Sequence, residues 1–170
     1  MSGHSKWKTI KHKKEAKDQK RSQVFSKILK AISAAARDET DPKFNSQLKS
    51  LIEKAKENNV PNDNIKKAIE GAKDKDLKEL LIEAYGPGGI AMIIKAVTDN
   101  SNRTIAEIRH LLNKNSCKMA ESGSVQWAFE NNEPKFPQEI TPEEKNLLDK
   151  ILEILEDHSD IQNIITNAKD

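Results

Sequence analysis

Residues 80–98 read LLIEAYGPGGIAMIIKAVT. Residues 80–85 and 90–98 are short apolar runs rich in isoleucine, leucine and valine, and Gly86-Pro87-Gly88-Gly89 between them is a turn composition. Such runs bounded by glycine and proline are strands joined by a turn. The second, IAMIIKAV, is apolar enough to lie at the centre of a sheet. A glycine-rich loop can also present backbone N–H groups to a phosphate. No Gly-Lys-Ser/Thr follows, however, and no G-x-G-x-x-G is present, so a strand-to-strand turn is the better reading.

The pattern downstream completes a domain. Residues 104–113 form a helix with Ile105, Ile108, Leu111 and Leu112 facing inward, capped by Asn100, Ser101 or Asn102. SVQWAFE, at 124–130, alternates and reads as a strand. Thr141 caps a helix that runs through Glu156, with Pro142 at its first position and Glu144 at the capping-box position. Its apolar face is Leu147, Leu148, Ile151, Leu152, Ile154 and Leu155, and 161–166 is a last strand. The order β-β-α-β-α-β, with room for one more strand, gives an α/β sandwich domain over 78–170.

Upstream of a polar linker at 73–78 the period is helical. Val24, Ile28, Ile32 and Ala35 form one stripe, with Phe25, Leu29 and Ala36 beside it. Phe44, Leu48, Leu51, Ile52 and Ala55 form a second. After Asn58-Asn59-Val60-Pro61, Asn62 or Asp63 caps a third helix carrying Ile65, Ala68 and Ile69, stopped by Gly71. The expected fold class is α+β: a three-helix domain at 16–72 with a basic arm at 1–15, followed by the sandwich domain. The arm has no apolar periodicity and reads as extended or disordered.

Charge separates the two ends. Residues 1–30 hold ten Lys/Arg against two acids, and residues 131–170 hold four against ten, although the whole chain is only +2. A basic end of this kind faces polyanions while the acidic end is held away. Lys6, Lys8, Lys11, Lys13, Lys14, Lys17, Lys20 and Arg21 suit phosphate, and Trp7 and His12 suit stacking on unpaired bases. The bland alternative is a solvated face or a solubility tail. A membrane surface fits less well, because residues 1–15 lack the apolar face of an interfacial helix. Arg103 and Arg109, on the helix after Asn100, are a second candidate contact, although capping explains most of that stretch.

Catalysis has little to stand on. His4, His12, His110 and His158 do not pair with one another or with cysteine at metal-ligand spacing. Cys117, the one cysteine, has only Lys118 beside it and no disulfide partner in the chain. No serine lies in a nucleophile elbow. A non-enzymatic protein is expected, with no cofactor, metal or small-molecule substrate. No apolar run approaches the roughly 18 residues of a membrane helix. No hydrophobic signal region opens the sequence, so the cytoplasm is the expected location.

Several stretches resemble one family closely. They are GHSKWKTIKHKKEAKDQKR at 3–21, DPKFNSQLKSLIEKAKENNVPNDNIKKAIE at 41–70, YGPGGIAMIIKAVTDNSNRT at 85–104 and ESGSVQWAFE at 121–130. Together, in this order, they are similar to the YebC family, which includes a mitochondrial branch described as translational activators of cytochrome oxidase. The resemblance implies a helical N-terminal domain and two α/β domains, no enzymatic activity and no cofactor. It implies a regulator of gene expression that binds nucleic acid, either as a ribosome-associated translation factor or as a transcriptional regulator binding duplex DNA. The sequence departs from the family after Glu130, where NNEPKFPQ leads almost directly to the last helix, so the family's inserted third domain is expected to be absent. The leading expectation is a translation factor whose arm contacts ribosomal RNA, with DNA as the alternative target and no membrane partner.

Overall fold

The computed structural model describes residues 3–169, with side chains from Lys17 onward. Contacts divide the chain into two compact units that meet between Lys73 and Asp74. The first holds three helices, α1 (Gly3–Ala35), α2 (Ser46–Glu57) and α3 (Asn62–Glu70). Ile28, Ile32, Ala36, Leu48, Ala55, Val60, Ile65, Ala68 and Ala72 are buried together, with Phe25, Leu29, Leu51, Ile52 and Ile69 at the margin. Two polar side chains fix the geometry. Asn45 caps α2 by accepting the Leu48 N–H at 3.0 Å, and its amide donates to the carbonyls of Ala35 and Glu39 at 2.8 and 2.9 Å. One residue thereby satisfies an orphan donor of α2 and an orphan acceptor at the end of α1. Ser33 donates to the Ala68 carbonyl at 3.0 Å inside the core, joining α1 to α3.

Four expectations for this unit change. The backbone expected to be extended before residue 16 is helical from Gly3. No glycine or proline follows Gly3 in α1, and lysine, alanine, glutamine and glutamate propagate a helix once a packed segment has nucleated it. Val24 is exposed, and the buried stripe runs instead through Ile28, Ile32 and Ala36. Phe44 lies in the turn before α2 and is 78% exposed. The residue that caps α3 is Pro61, with no side-chain hydrogen bond, in place of Asn62 or Asp63.

In the second unit, β1 (Lys78–Tyr85) pairs antiparallel with β2 (Ala91–Thr98), from Lys78 opposite Thr98 to Tyr85 opposite Ala91. The turn closes through Gly86 N–H to the Ile90 carbonyl at 2.9 Å and Gly89 N–H to the Gly86 carbonyl at 3.0 Å. The helix α4 (Ser101–Lys114), the short β3 (Lys118–Met119), α5 (Pro142–Glu156) and β6 (Ile161–Thr166) complete a sheet of order β3-β1-β2-β6, in which every pair is antiparallel. One sheet face buries Ile82, Met92 and Ile94 against Ile108 and Leu112 of α4 and Leu148, Ile151 and Leu155 of α5. The other buries Ala91 and Ile93 of β2 under Val125 and Ala128. Burial on both faces is the reason β2 is almost continuously apolar. The Thr141 hydroxyl accepts the Glu144 N–H and the Glu144 carboxylate accepts the Thr141 N–H, a reciprocal capping box as expected.

The 124–130 strand does not form. Residues 126–128 make a single 3-10 turn, and only Phe129–Glu130 (β4) is extended, pairing with Glu133–Pro134 (β5) in a separate hairpin. The buried residues Val125 and Ala128 are three apart, the period of a 3-10 turn. Leu147, placed on the inner face of α5 by the sequence, is exposed. Among the described residues no helix is long and apolar enough to cross a membrane.

The β1–β2 turn yields a test. Gly88 and Gly89 both have left-handed φ, +71° and +75°. An added Cβ at Gly88 comes within 2.9 Å of the Glu144 carboxylate, whereas at Gly89 it meets nothing within 4 Å. Gly89→Ala should lose about 1 kcal/mol of stability from backbone strain. Gly88→Ala should lose about 1 kcal/mol more, because moving Glu144 opens the capping box. Urea unfolding of both variants measures the difference.

Candidate nucleic-acid interface

A helix of 33 residues is longer than its own core requires. Among its described side chains, from Lys17 onward, α1 reaches the hydrophobic core only from Phe25. The eight residues from Lys17 to Val24 are all exposed, so two turns of the helix lie outside any packing. A helix segment that is polar all round draws nothing from apolar burial. Lys17, Lys20 and Arg21 are exposed there, with Asp18 the one acid among them, and the Arg21 guanidinium lies 5.4 Å from the centre of the Phe25 ring. The expectation of a helix packed on one side at this level is therefore replaced by one open on every side. Lys6, Trp7, Lys8, Lys11, His12, Lys13 and Lys14 have side chains outside the described residues.

Arg109 is exposed on α4. Arg103 is different, because it is committed within the second unit. Asn100 caps α4 by accepting the Arg103 N–H at 3.1 Å, which decides among the three candidate caps. The Arg103 guanidinium then donates to Asp160 at 3.1 Å, Asp99 at 3.0 Å and the Thr98 hydroxyl at 3.2 Å. Its pKa is raised, first by the hydrogen bond to Asp160 and then by that to Asp99. Asp160 is buried and also accepts the Thr104 hydroxyl at 2.6 Å. A buried carboxylate needs such partners, so Arg103 joins the α4 N-terminus to the turn before β6. This gives Arg103 a structural task within the second unit.

The same corner brings together Glu107, His158 and Asp160, whose ligand atoms lie within 4.8 Å of one another. The sequence shows no such group because its members come from α4 and the turn after α5. His158 Nδ1 accepts the Asp160 N–H at 3.1 Å, which leaves Nε2–H to donate to Glu107 at 2.7 Å. Arg103 supplies the cation, at 3.1 Å from Asp160 and 3.8 Å from Glu107. A metal ion at that position would face a fixed positive charge. Cys117 is buried, and burial pushes its thiol up, away from the reactive thiolate.

A third feature was missed by sequence reasoning. Glu83, on β1, is 2% exposed. Its carboxylate accepts the backbone N–H groups of Gly123, Val125 (2.9 Å) and Gln126 (3.1 Å) and the Gln126 side-chain amide at 3.2 Å. Burial raises its pKa, but the N–H groups of Val125, Gly123 and Gln126 outweigh burial and hold it below the usual value. One carboxylate thus fastens the 121–126 segment over the outer face of the sheet. The residue that follows it, Trp127, is exposed beside Phe136. The signal was an acid placed in the otherwise uncharged run 80–85.

Two family models match the chain: the TACO1/YebC protein N-terminal domain over residues 5–75, and the TACO1/YebC second and third domain over residues 77–133. Curated relatives carry the name probable transcriptional regulatory protein. The one from Kosmotoga olearia is 53% identical over 135 residues, 76% of this chain and 54% of that protein. The one from Solibacter usitatus is 46% identical over 164 residues, 92% of this chain and 63% of that protein. A third, from Chloroherpeton thalassium, is 42% identical and covers all of this chain and 72% of that protein. The chain thus spans between 54% and 63% of the length of the first two. The fold is similar to the crystal structure of a conserved hypothetical protein from Aquifex aeolicus, with a TM-score of 0.82, 24% identity, and coverage of 89% of this chain and 91% of that one.

Two outcomes test the assigned structural roles. Glu83 has a lowered pKa, so its contribution is full above the ordinary glutamate value of about 4.3 and is lost as pH falls through the folded value. Glu83→Gln should cost about 1–3 kcal/mol at pH 7 by mismatching buried donors. The variant should also show a flatter loss of stability than wild type between pH 5 and pH 3 in urea titrations. Arg103→Ala should lower the thermal midpoint by uncovering Asp160 while leaving nucleic-acid affinity nearly unchanged, as a melting curve and a gel-shift titration would register.

Proposed function

The chain belongs to the TACO1/YebC family, and on that premise we propose that it is a non-enzymatic, nucleic-acid-binding regulator of gene expression, whose basic helix α1 binds ribosomal RNA. The observation that carries this reading is the overhang of α1. Its exposed turns contribute nothing to the core, and the sequence before them holds Lys6, Lys8, Lys11, Lys13 and Lys14. Cations on a helical rod neutralise phosphates and release counterions, which makes binding strong and salt-dependent. In this reading Trp7 and His12 stack on bases, Arg109 is a secondary contact, and no bond chemistry is performed. Ordering of the rod against RNA biases a ribosomal state. The chain acts as a short form without the family's inserted domain, since residues 131–138 lead directly to α5.

Duplex DNA is the second reading, favoured by the names of the relatives. The α2–α3 pair, with its connection at 58–61, resembles a helix-turn-helix in outline. The exposed surface of α3 argues against groove reading. Lys66 and Lys67 are offset there by Asp63 and Glu70, and the Lys66 ammonium lies 3.9 Å from Glu70.

The test is co-sedimentation with ribosomes, alongside titration of a single-stranded RNA and a duplex DNA across salt. The triple variant Lys17→Ala, Lys20→Ala, Arg21→Ala alters exposed side chains, and losing the Arg21–Phe25 contact should cost at most about 1 kcal/mol of stability. It should leave the ribosomal fractions at moderate salt and flatten the log–log salt slope for RNA by about 2. Retention of one duplex over competitor by about 10³, without ribosome association, would select the DNA reading instead.

A further inference from the structure

Trp127 is 62% exposed and Phe136 52% exposed, and their ring centres lie 5.8 Å apart at an interplanar angle of 41°. Exposed single apolar side chains are ordinary, but this is a pair of large rings held in place. The Trp127 indole N–H donates to the Ser124 carbonyl at 2.8 Å, so the indole offers its faces and not its donor. The segment beneath it is fastened by Glu83 through Gly123, Val125 and Gln126. Phe136 is fixed from the other side, since the buried Asn167 amide donates to the Phe136 carbonyl at 3.0 Å and Asn167 Oδ1 accepts the Ala91 N–H at 2.8 Å. The Lys135 ammonium lies 5.9 Å from the centre of the Phe136 ring.

We propose that Trp127 and Phe136 form a stacking platform for unpaired bases, with Lys135 beside it to meet the phosphate. The proposal rests on the nucleic-acid reading above and deepens it by naming a second surface and the single-stranded form of the ligand. Aromatic faces stack on any base, and an adjacent cation matches the base-next-to-phosphate layout of a nucleotide strand. The rings are also preorganised, so binding does not have to order them. Glu130 and Glu133 pair across the neighbouring hairpin, which directs the strand to the Lys135 side of the platform. A base pair inside a duplex hides the faces this surface would contact, so duplex is excluded.

The experiment uses the full chain labelled with 5-fluorotryptophan, whose two resonances are assigned with Trp127→Phe. The probes are a 12-nucleotide oligoadenylate RNA and the same strand paired with oligouridylate. The Trp127 resonance should shift with the single strand and not with the duplex. Trp127→Ala and Trp127→Leu should each weaken single-strand binding by about tenfold, the lower part of the range for one lost base stack, with the salt slope unchanged. The α1 triple variant should instead flatten the slope and leave the Trp127 shift intact at saturation. Wild-type affinity in Trp127→Ala, alongside weakened binding in the α1 variant, overturns the platform and spares the nucleic-acid reading. Absence of binding by the wild-type chain to either probe overturns both. Full retention in Trp127→Leu alone shows an apolar contact with no stacking and also overturns the platform. Equal melting temperatures of wild type and both variants exclude unfolding as the cause of a loss.

Discussion

A strand that is apolar on both faces must be covered twice, and β2 sets that requirement for the whole second unit. Its inward side chains Met92 and Ile94 are met by α4 and α5. Ala91 and Ile93 on the other face need a cover that no helix supplies, and Val125 and Ala128 provide it. A loop has few means of holding itself against a sheet, because its backbone donors must be satisfied as well as its apolar groups buried. Glu83 solves both at once. A carboxylate with several acceptor sites gathers three backbone donors of the loop, and each bond to a charged group outweighs a neutral one.

The same corner of the architecture explains why aromatic rings face solvent. The 3-10 turn at 126–128 points Ala128 inward and leaves Trp127 outward. Asn167, at the end of β6, holds the 136–138 segment to β2 through Ala91, Phe136 and Gln138. The connection from β4 to α5 is therefore anchored, and its exposed residues keep defined positions.

Polar networks divide cations by task. Arg103 is absorbed by Asp99, Asp160 and Glu107, and the Thr104 hydroxyl completes the shell around Asp160. Lys17, Lys20 and Arg21 stand on exposed turns of α1, where only Arg21 reaches the edge of the core, over the Phe25 ring. Geometry, not composition, separates these two kinds of basic residue. Both kinds look alike in a count of charge.

Much of the fold was legible because local chemistry decided it. The turn at 86–89, the Thr141–Glu144 capping box, the helical stripes of α2 and α4 and the uncharged run of β6 each follow from short-range rules. The failures were long-range. Val125, Trp127 and Phe129 alternate like a strand, and only the sheet that buries Val125 and Ala128 selects the 3-10 turn. Phe44 and Leu147 satisfy helical spacing, yet both stay exposed. The candidate interface was legible as a basic stretch from 6 to 21 by composition alone. Its emergence as an overhanging helix depended on where the three-helix core ends, since helix propensity cannot say which turns find a partner. The sequence by itself determined the element order, the two-unit division of pattern and the polarity of charge, because these depend on neighbours along the chain. Only the tertiary structure decided that Glu83 is a buried anchor, that Arg103 is structural and that Trp127 and Phe136 meet, because each depends on residues brought together from distant parts of the chain.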